Sequence, residues 1–258
     1  QTCALPICFG CHQIDGFENT PKPGPGLRKI AAKTTKDFAY KWIYDPRGFR
    51  ENTWMPHFFK QVNSQDLESV KRTDQEIHAI VSYLFDRSES FKMEKMQNKG
   101  NADNGRMLVN SLGCLGCHAT EGEEQVALKS VNSMRREHGP NLINLGSKTT
   151  QKWIYNWIRD PQSYHSGTKM PNLRLSKQEA SDISAYLIGQ RDKDFEKNPR
   201  PEVDENELNL IASDLLSSIL RKDEVTARLG SMSLDEKLNY VGGKLIRQIG
   251  RASCRERV

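Results

Sequence analysis

The sequence is short of the features that mark several protein classes. It has no apolar run of about 18 residues, the shortest stretch that usually crosses a bilayer as a helix. Its formal net charge is only +5 over 258 residues, without the concentrated basic stripe that nucleic-acid binding normally needs. It has six cysteines, and no stretch shows the sustained alternation of a β-strand. A membrane-spanning segment, a nucleic-acid-binding surface and a β-sheet core are therefore not expected.

Both ends of the sequence read as foreign. Residues 1–7 are QTCALPI and residues 249–258 are IGRASCRERV. Both strings match in-frame translations of a common short-read sequencing adapter, and we expect neither to be native. The adapter also contributes bases to codons 8 and 248, although the repeat described below supports a cysteine at position 8. Without the C-terminal string, which holds three arginines and one glutamate, the net charge falls from +5 to +3.

The four remaining cysteines lie in two copies of one motif. Cys8-Phe-Gly-Cys11-His12 recurs as Cys114-Leu-Gly-Cys117-His118. Cys-x-x-Cys-His is the attachment signature of a c-type haem, in which both thiols form thioethers with the porphyrin and the histidine binds iron. No cysteine is left for a disulfide or a catalytic thiol. The motifs predict two covalently attached haem c groups.

The motifs belong to a longer internal repeat. Gly-Pro, Trp and Met-Pro recur at one constant offset of 115 residues, as Gly24-Pro25 and Gly139-Pro140, Trp42 and Trp157, and Met55-Pro56 and Met170-Pro171. The haem motifs are offset by 106 residues, and the closing segments, with Glu76 and Tyr83 matching Glu179 and Tyr186, by 103. The second copy therefore has nine extra residues within Ala119–His138, and the first has twelve around Phe58–Thr73. Both excesses are expected to form surface loops.

The local patterns predict an all-α fold. Lys36–Tyr44 and Thr150–Arg159 have apolar residues at helical spacing, and each stops before an Asp-Pro pair. Ser176–Gly189 begins with a capping box completed by Glu179 and ends in a glycine that would stop the helix. Thr73–Phe85 is its counterpart in the first copy.

The repeat also predicts domain boundaries, with one domain over residues 8–97 and a second over residues 98–192. Residues 193–248 belong to neither copy. Within them, Lys193–Glu207 is charged and contains prolines, which indicates a linker, and Leu208–Leu220 has helical spacing and should pack on a neighbouring module.

Ser233–Gln248 resembles the approach to a haem motif. Its Gly242-x-x-Leu-Ile can be aligned with Gly105-x-x-Leu-Val, which precedes Cys114. One hypothesis is that a third haem module follows Gln248. The alternative is a terminal helix that packs on the second module.

The order Cys-x-x-Cys-His, Gly-Pro-x-Leu, Met-Pro and closing helix resembles a class I cytochrome c domain in each copy. The resemblance covers about 180 residues and implies two tandem domains, followed by a C-terminal helical linker segment. It implies that His12 and His118 are the proximal ligands and that Met55 and Met170 are the distal ones. A thioether is a soft ligand suited to iron(II), and the proline after each methionine restricts its backbone. The alternative is a pair of ordinary core methionines.

Other residues have two interpretations each. The carbonyls of Pro25 and Pro140 would accept the proximal imidazole N–H, or these are simple turn prolines. Trp42 and Trp157 would either contact the haem or pack in the core. Lys33 and Lys148 would either pair with a haem propionate or be solvated. His57 and His165 lie near the predicted distal loops, and each is either a distal ligand in place of the methionine or an ordinary surface histidine. His78 and His138 have no partners at ligand spacing.

The resemblance implies an electron-transfer haemoprotein rather than an enzyme. Its implied partners are redox proteins, with a membrane respiratory complex as a candidate and no nucleic acid, and its implied location is the periplasm or the extracytoplasmic face of a membrane. Three other functions are alternatives. A dihaem redox enzyme such as a peroxidase needs an open iron site, a Cys₄ zinc module leaves each following histidine unexplained, and thioredoxin-like chemistry lacks its βαβ context.

Overall fold

The computed structural model describes residues 7–16, 22–51, 53–59, 67–120 and 139–252. Within these ranges the chain is helical and has no β-strand, which confirms the all-α prediction. None of the helices described there is both long and apolar enough to cross a membrane. The chain divides into two compact units: unit 1 is Gln1–Ala31, Thr35–Ser90 and Asn198–Val258, and unit 2 is Ala32–Thr34 and Phe91–Lys197.

Unit 1 contains the first copy of the repeat. Its helices are α1 (Ile7–Cys11), α2 (Ile30–Lys33, whose last two residues are grouped with unit 2), α3 (Lys36–Tyr44), α4 (Pro46–Phe49) and α5 (Leu67–Asp86). Local signals account for the bounds of α3. The Thr35 side chain accepts the N–H of Phe38 at its start, and the helix ends at Asp45, before a proline.

Unit 2 repeats this order. Its helices are α6 (Ala102–Ser111), α7 (Leu145–Lys148), α8 (Gln151–Arg159), α9 (Pro161–Tyr164), α10 (Lys177–Gly189) and α11 (Lys193–Lys197), with a 3₁₀ turn at Cys114–Gly116. Thr150 caps α8 as Thr35 caps α3, and each helix is followed by a short one that begins at proline. The predicted helices over 36–44 and 150–159 are thus confirmed.

The two closing helices depart from the predictions in detail. Ser176 and Glu179 form the predicted capping box at the start of α10. The helix ends at Gly189, as predicted, but Gly189 is its last helical residue and not a left-handed cap, because the capping residue is Gln190 with a negative φ of −79°. Helix α5 begins at Leu67 rather than Thr73, so part of the twelve-residue excess is helical and not loop. The nine-residue excess was predicted within Ala119–His138, a stretch that lies outside the described ranges apart from its first two residues.

Three further helices follow: α12 (Glu205–Ser217), α13 (Lys222–Ser231) and α14 (Leu234–Ala252). The linker prediction over 193–207 is wrong at both ends, where α11 and the start of α12 lie. Helix α12 confirms the predicted helix near Leu208, and it packs on α5 within unit 1. Helix α14 also packs on α5, and not on the second module as the alternative supposed.

Each unit has its own apolar core. In unit 1 the core joins α3 and α5 to α12 and α14, with Tyr40, Ile77, Leu208 and Ile246 almost wholly buried. In unit 2 it is built on α8 and α10. Haem-motif cysteines pack against each core, Cys8 in unit 1 and Cys114 in unit 2.

One acidic residue predicts a pH-dependent stability of unit 1. Burial raises the pKa of Glu76, on α5, from 4.5 to about 7, and the guanidinium of Arg72 opposes the rise. A pKa raised on folding favours the neutral form, so its contribution to stability is complete below pH 4.5 and is lost as the pH rises through about 7. Glu76→Gln should abolish this loss and leave unit 1 more stable than wild type above pH 7, measured by hydrogen exchange of α5 at pH 5 and pH 8.

The second copy supplies the control. Glu179 occupies the matching position on α10, but hydrogen bonds from Ser176 lower its pKa. Its contribution is therefore present above the ordinary pKa and lost as the pH falls through the lowered value. Glu179→Gln should destabilise unit 2 at neutral pH, whereas Glu76→Gln should not destabilise unit 1 there. Equal effects of the two variants would contradict the prediction.

Candidate functional site

Both Cys-x-x-Cys-His motifs fold into a tight turn. In unit 1 the cysteines lie on α1, and the N–H of His12 donates to the Cys8 carbonyl at 2.8 Å. In unit 2 the motif forms a 3₁₀ turn, and the N–H of His118 donates to the Cys114 carbonyl at 3.0 Å. The histidine of each motif therefore follows its first cysteine by one helical turn.

Each motif histidine is oriented by a proline carbonyl. Nδ1 of His12 lies 2.8 Å from the carbonyl oxygen of Pro25, and Nδ1 of His118 lies 2.7 Å from that of Pro140. Because a carbonyl only accepts, Nδ1 is the nitrogen that carries the proton, and Nε2 keeps a lone pair free for a metal. Burial lowers the pKa of His12, with the Pro25 hydrogen bond opposing it, so the ring is held neutral.

The glycine before each proline lets the backbone reach the ring. The N–H of Gly24 donates to the Cys11 carbonyl at 2.7 Å, and that of Gly139 donates to the Cys117 carbonyl at 2.9 Å. A Cβ at either glycine would lie 2.6 Å from Nδ1 of the motif histidine, well inside van der Waals contact. Glycine is thus required where the Gly-Pro segment passes the imidazole.

Met55 and Met170, the two predicted distal ligands, are each held by a tryptophan. Nε1–H of Trp42 donates to Sδ of Met55 at 2.8 Å, and Nε1–H of Trp157 donates to Sδ of Met170 at 2.8 Å. Both indoles are half-buried. Core packing, one of the two predicted roles, is confirmed, since Trp42 stacks on Phe38 and Trp157 on Trp153. The hydrogen bonds to the methionine sulfurs are an additional role that was not predicted.

A threonine shapes each methionine loop. The N–H of Met55 donates to Oγ1 of Thr53, and the N–H of Met170 donates to Oγ1 of Thr168, both at 3.2 Å. The proline that follows restricts the methionine backbone on its other side. The threonines of the Thr-x-Met-Pro repeat therefore have a positioning role that the sequence reasoning missed, although their identical spacing was the available signal.

The four described cysteines are free thiols. Burial raises the pKa of Cys8 to about 12 and also raises that of Cys114. In the described ranges no three His, Cys, Asp or Glu side chains are grouped to hold a metal ion. The cysteine pairs there lack the further ligands that a zinc module would need.

The remaining candidates lie apart from these sites. Lys33 is half-buried, with its Nζ 5.2 Å from the centre of the Trp153 ring, and burial lowers its pKa. The Lys148 carbonyl accepts from Thr34 Oγ1 at 2.5 Å, and the side chain is half-buried.

The other histidines differ in how far they are buried. His78 is buried, and its Nε2 donates to the Pro201 carbonyl at 2.8 Å, so it is a structural residue. His57 is half-buried, with Nε2 3.9 Å from a carboxylate oxygen of Asp45. His165 is exposed, and His138 lies outside the described residues.

The residues present fit a covalently attached haem. Each unit offers two thiols, an imidazole with Nε2 free to bind iron, and a thioether held in place. Unit 2 also has a buried indole N–H, that of Trp153, without a hydrogen-bond partner among the described residues. A phenylalanine, Phe38, stands at the matching position of unit 1.

A family comparison agrees with this chemistry. The cytochrome c family model matches residues 6–87 and again residues 102–190. The chain belongs to the cytochrome c family. No curated protein and no solved structure matches it. Cytochrome c domains bind haem c covalently and transfer electrons, so this cytochrome is a haem-based electron-transfer protein with two tandem domains.

Proposed function

We propose that this cytochrome carries two haem c groups, each with His/Met axial ligation, and passes single electrons between redox partner proteins. His12 with Met55 would hold one iron, and His118 with Met170 the other. The observation that carries the proposal is the duplicated construction, in which each unit fixes an imidazole by a proline carbonyl and a thioether by a tryptophan.

The residues do the positioning, and a bound haem supplies the one-electron chemistry. The Nδ1–H bond to proline keeps the imidazole in the tautomer that presents Nε2 and increases its basicity. The indole N–H occupies one lone pair of the methionine sulfur and leaves the second available. Because a thioether stabilises iron(II), a His/Met pair raises the reduction potential above that of a His/His pair.

The same construction argues against a dihaem peroxidase. Peroxide chemistry needs an iron with an open or easily displaced position. Here both units have a methionine in the same Thr-x-Met-Pro loop, and both sulfurs are held by an indole. Two closed irons favour electron transfer over catalysis.

Location and partners follow from the attachment chemistry. Haem is normally joined to Cys-x-x-Cys-His outside the cytoplasmic membrane, so we place the protein in the periplasm or on the extracytoplasmic face. It would act there as a carrier or as the cytochrome domain of a larger respiratory protein, with a membrane respiratory complex among its candidate partners.

The test is the absorption spectrum of the chain produced with a c-type haem maturation system. We expect two covalent haems per chain and no rapid change in the Soret band when cyanide or hydrogen peroxide is added to the ferric protein. Rapid cyanide binding to one haem would favour the peroxidase alternative. A chain that acquires no haem would contradict the proposal altogether.

A further inference from the structure

Unit 1 has a buried polar cluster that takes no part in holding the haem. Helix α5 contributes Asp74 and His78, which lie about one helical turn apart, and α3 contributes Tyr40. The Tyr40 hydroxyl donates to Oδ1 of Asp74 at 2.5 Å, and the centres of the Tyr40 and His78 rings lie 4.8 Å apart. Both rings are buried. The protonation state of the imidazole therefore depends on the protein groups around it.

The segment that leads into α12 closes the cluster. Nε2 of His78 lies 2.8 Å from the carbonyl oxygen of Pro201, and Nδ1 lies 3.5 Å from a guanidinium nitrogen of Arg200. Because a carbonyl only accepts, Nε2 carries the proton, and Nδ1 of the neutral ring turns a lone pair toward the cation. Further along the segment, the N–H of Asp204 donates to Oε1 of Gln75 at 3.0 Å. His78 and Gln75 thus hold this segment on α5 from two positions.

A protonated ring does not suit this arrangement. Protonation of Nδ1 would direct a second N–H of a charged imidazole at the guanidinium of Arg200, and the two cations would repel each other. Two carboxylates, those of Asp74 on α5 and Glu202 on the covering segment, favour the charged ring. Tyr40, the ionisable neighbour on α3, stays neutral, because burial and the hydrogen bond to Asp74 raise its pKa.

Burial decides the competition between these groups. It has the largest effect on the pKa of His78 and lowers it; the Pro201 hydrogen bond opposes the fall, Arg200 adds to it, and the two carboxylates oppose it. A pKa lowered on folding gives a contribution to stability that is complete above the ordinary value of 6.5 and is lost as the pH falls through the lowered value. The contacts of the covering segment are therefore strongest at neutral pH and weaken in acid.

We propose that His78 is an acid-sensitive latch, which holds residues 200–204 and the start of α12 on α5 while its ring is neutral and releases them when the ring is protonated. The release is local, because Arg72 of α5 forms an ion pair with Asp214 further along α12. The latch goes beyond electron transfer, and its contacts do not depend on a bound haem.

The second copy shows the same fold with other residues in place of the latch. At the positions equivalent to His78 and Asp74 it has Ser181 and Lys177, 103 residues later. Oγ of Ser181 donates to the Lys177 carbonyl within α10, and a serine does not titrate near neutral pH. Acid should therefore loosen the segment that covers α5 and leave α10 unchanged, which makes α10 an internal reference.

The test is amide hydrogen exchange of the full chain at pH 7.5 and pH 5, measured at Asp204 and at Leu208 in the first turn of α12. The variant His78→Gln keeps a neutral N–H donor for the Pro201 carbonyl but does not titrate. Relative to this variant, the wild type should lose protection at both amides by roughly fivefold or more at pH 5, with α10 unchanged. Both chains contain Glu76, so the difference between them reports His78.

Two further variants separate the latch from a general effect of acid. His165→Gln removes an exposed histidine of unit 2 and should lose protection in acid as the wild type does. Arg200 is exposed, and Arg200→Gln removes its charge, so the pKa of His78 measured by NMR should rise and the loss of protection in acid should be smaller. A full acid loss that persists in His78→Gln, or a pKa of His78 that does not rise in Arg200→Gln, would overturn the proposal.

Discussion

Replacing Met55 by alanine is expected to remove about half of the weak long-wavelength band that an iron–methionine bond gives the ferric protein, and replacing Met170 the other half. Each unit has one such thioether, and each is held at 2.8 Å by its own indole N–H. Because the two contacts are equal in length and register, we expect two similar contributions. The double variant should lack the band.

Each variant should also lower the reduction potential of one haem. Loss of the soft thioether removes the preference for iron(II), and axial ligands set haem potentials over a range of roughly 0.8 V. A fall on the order of 0.1 V or more for one of two one-electron steps, measured by potentiometric titration, is the expected result. The second step should stay where it is in the wild type.

Met107 provides the matched control. It lies on α6, is 62% exposed and makes no part of either site, so Met107→Ala should keep both the band and the potentials. If Met55→Ala and Met170→Ala both keep the wild-type spectrum, the distal ligands are other residues. His57 and His165, near the distal loops, would then be the next residues to replace.

Replacing Gly24 or Gly139 by alanine is expected to disturb the opposite side of the iron. The new Cβ would lie 2.6 Å from Nδ1 of the motif histidine, and it touches the rigid ring and not the flexible end of a side chain. Either the imidazole or the Gly-Pro segment must move. Both movements break the hydrogen bond from Nδ1 to the proline carbonyl, so proximal ligation of that haem should weaken.

The expected readout is a partial change to high-spin iron in one haem, seen by electron paramagnetic resonance, together with faster cyanide binding. Gly26 lies in the same loop as Gly24, but its Cβ would lie 3.4 Å from the Gln13 side chain, an ordinary contact. Gly26→Ala should therefore leave the spectrum unchanged. Low-spin haems in all three alanine variants would show that the close contact between the glycine and the histidine ring does not determine the position of the imidazole.

The sequence alone was sufficient wherever the signal is local or repeated. Two Cys-x-x-Cys-His motifs indicated the cofactor, since five consecutive residues carry both attachment points and the proximal ligand. The bounds of α3 and the start of α10 were predictable because threonine and serine caps and Asp-Pro pairs act within a few residues. The constant offset of 115 residues selected the methionines and tryptophans as a group.

Contacts between distant residues needed the tertiary structure. Trp42 lies 13 residues before Met55, and only the folded loop brings its N–H to the sulfur. His78 is buried, and its ring donates a hydrogen bond to the carbonyl of Pro201, 123 residues later. Helix α5 starts at Leu67, a position that no start signal in its sequence predicted, and near this end Arg72 forms an ion pair with Asp214 on α12.

The C-terminal helix shows most clearly what the sequence determines and what the tertiary structure decides. The sequence by itself determined that residues 233–248 form an amphipathic helix with the glycine and apolar pattern that precedes the haem motif at Cys114. The tertiary structure decided that this helix packs on α5 and not on α10. The sequence could not, because both helices have a tyrosine at the equivalent position, Tyr83 and Tyr186. Helix pairing depends on backbone approach and burial across more than 150 residues of chain, and no local pattern encodes the choice.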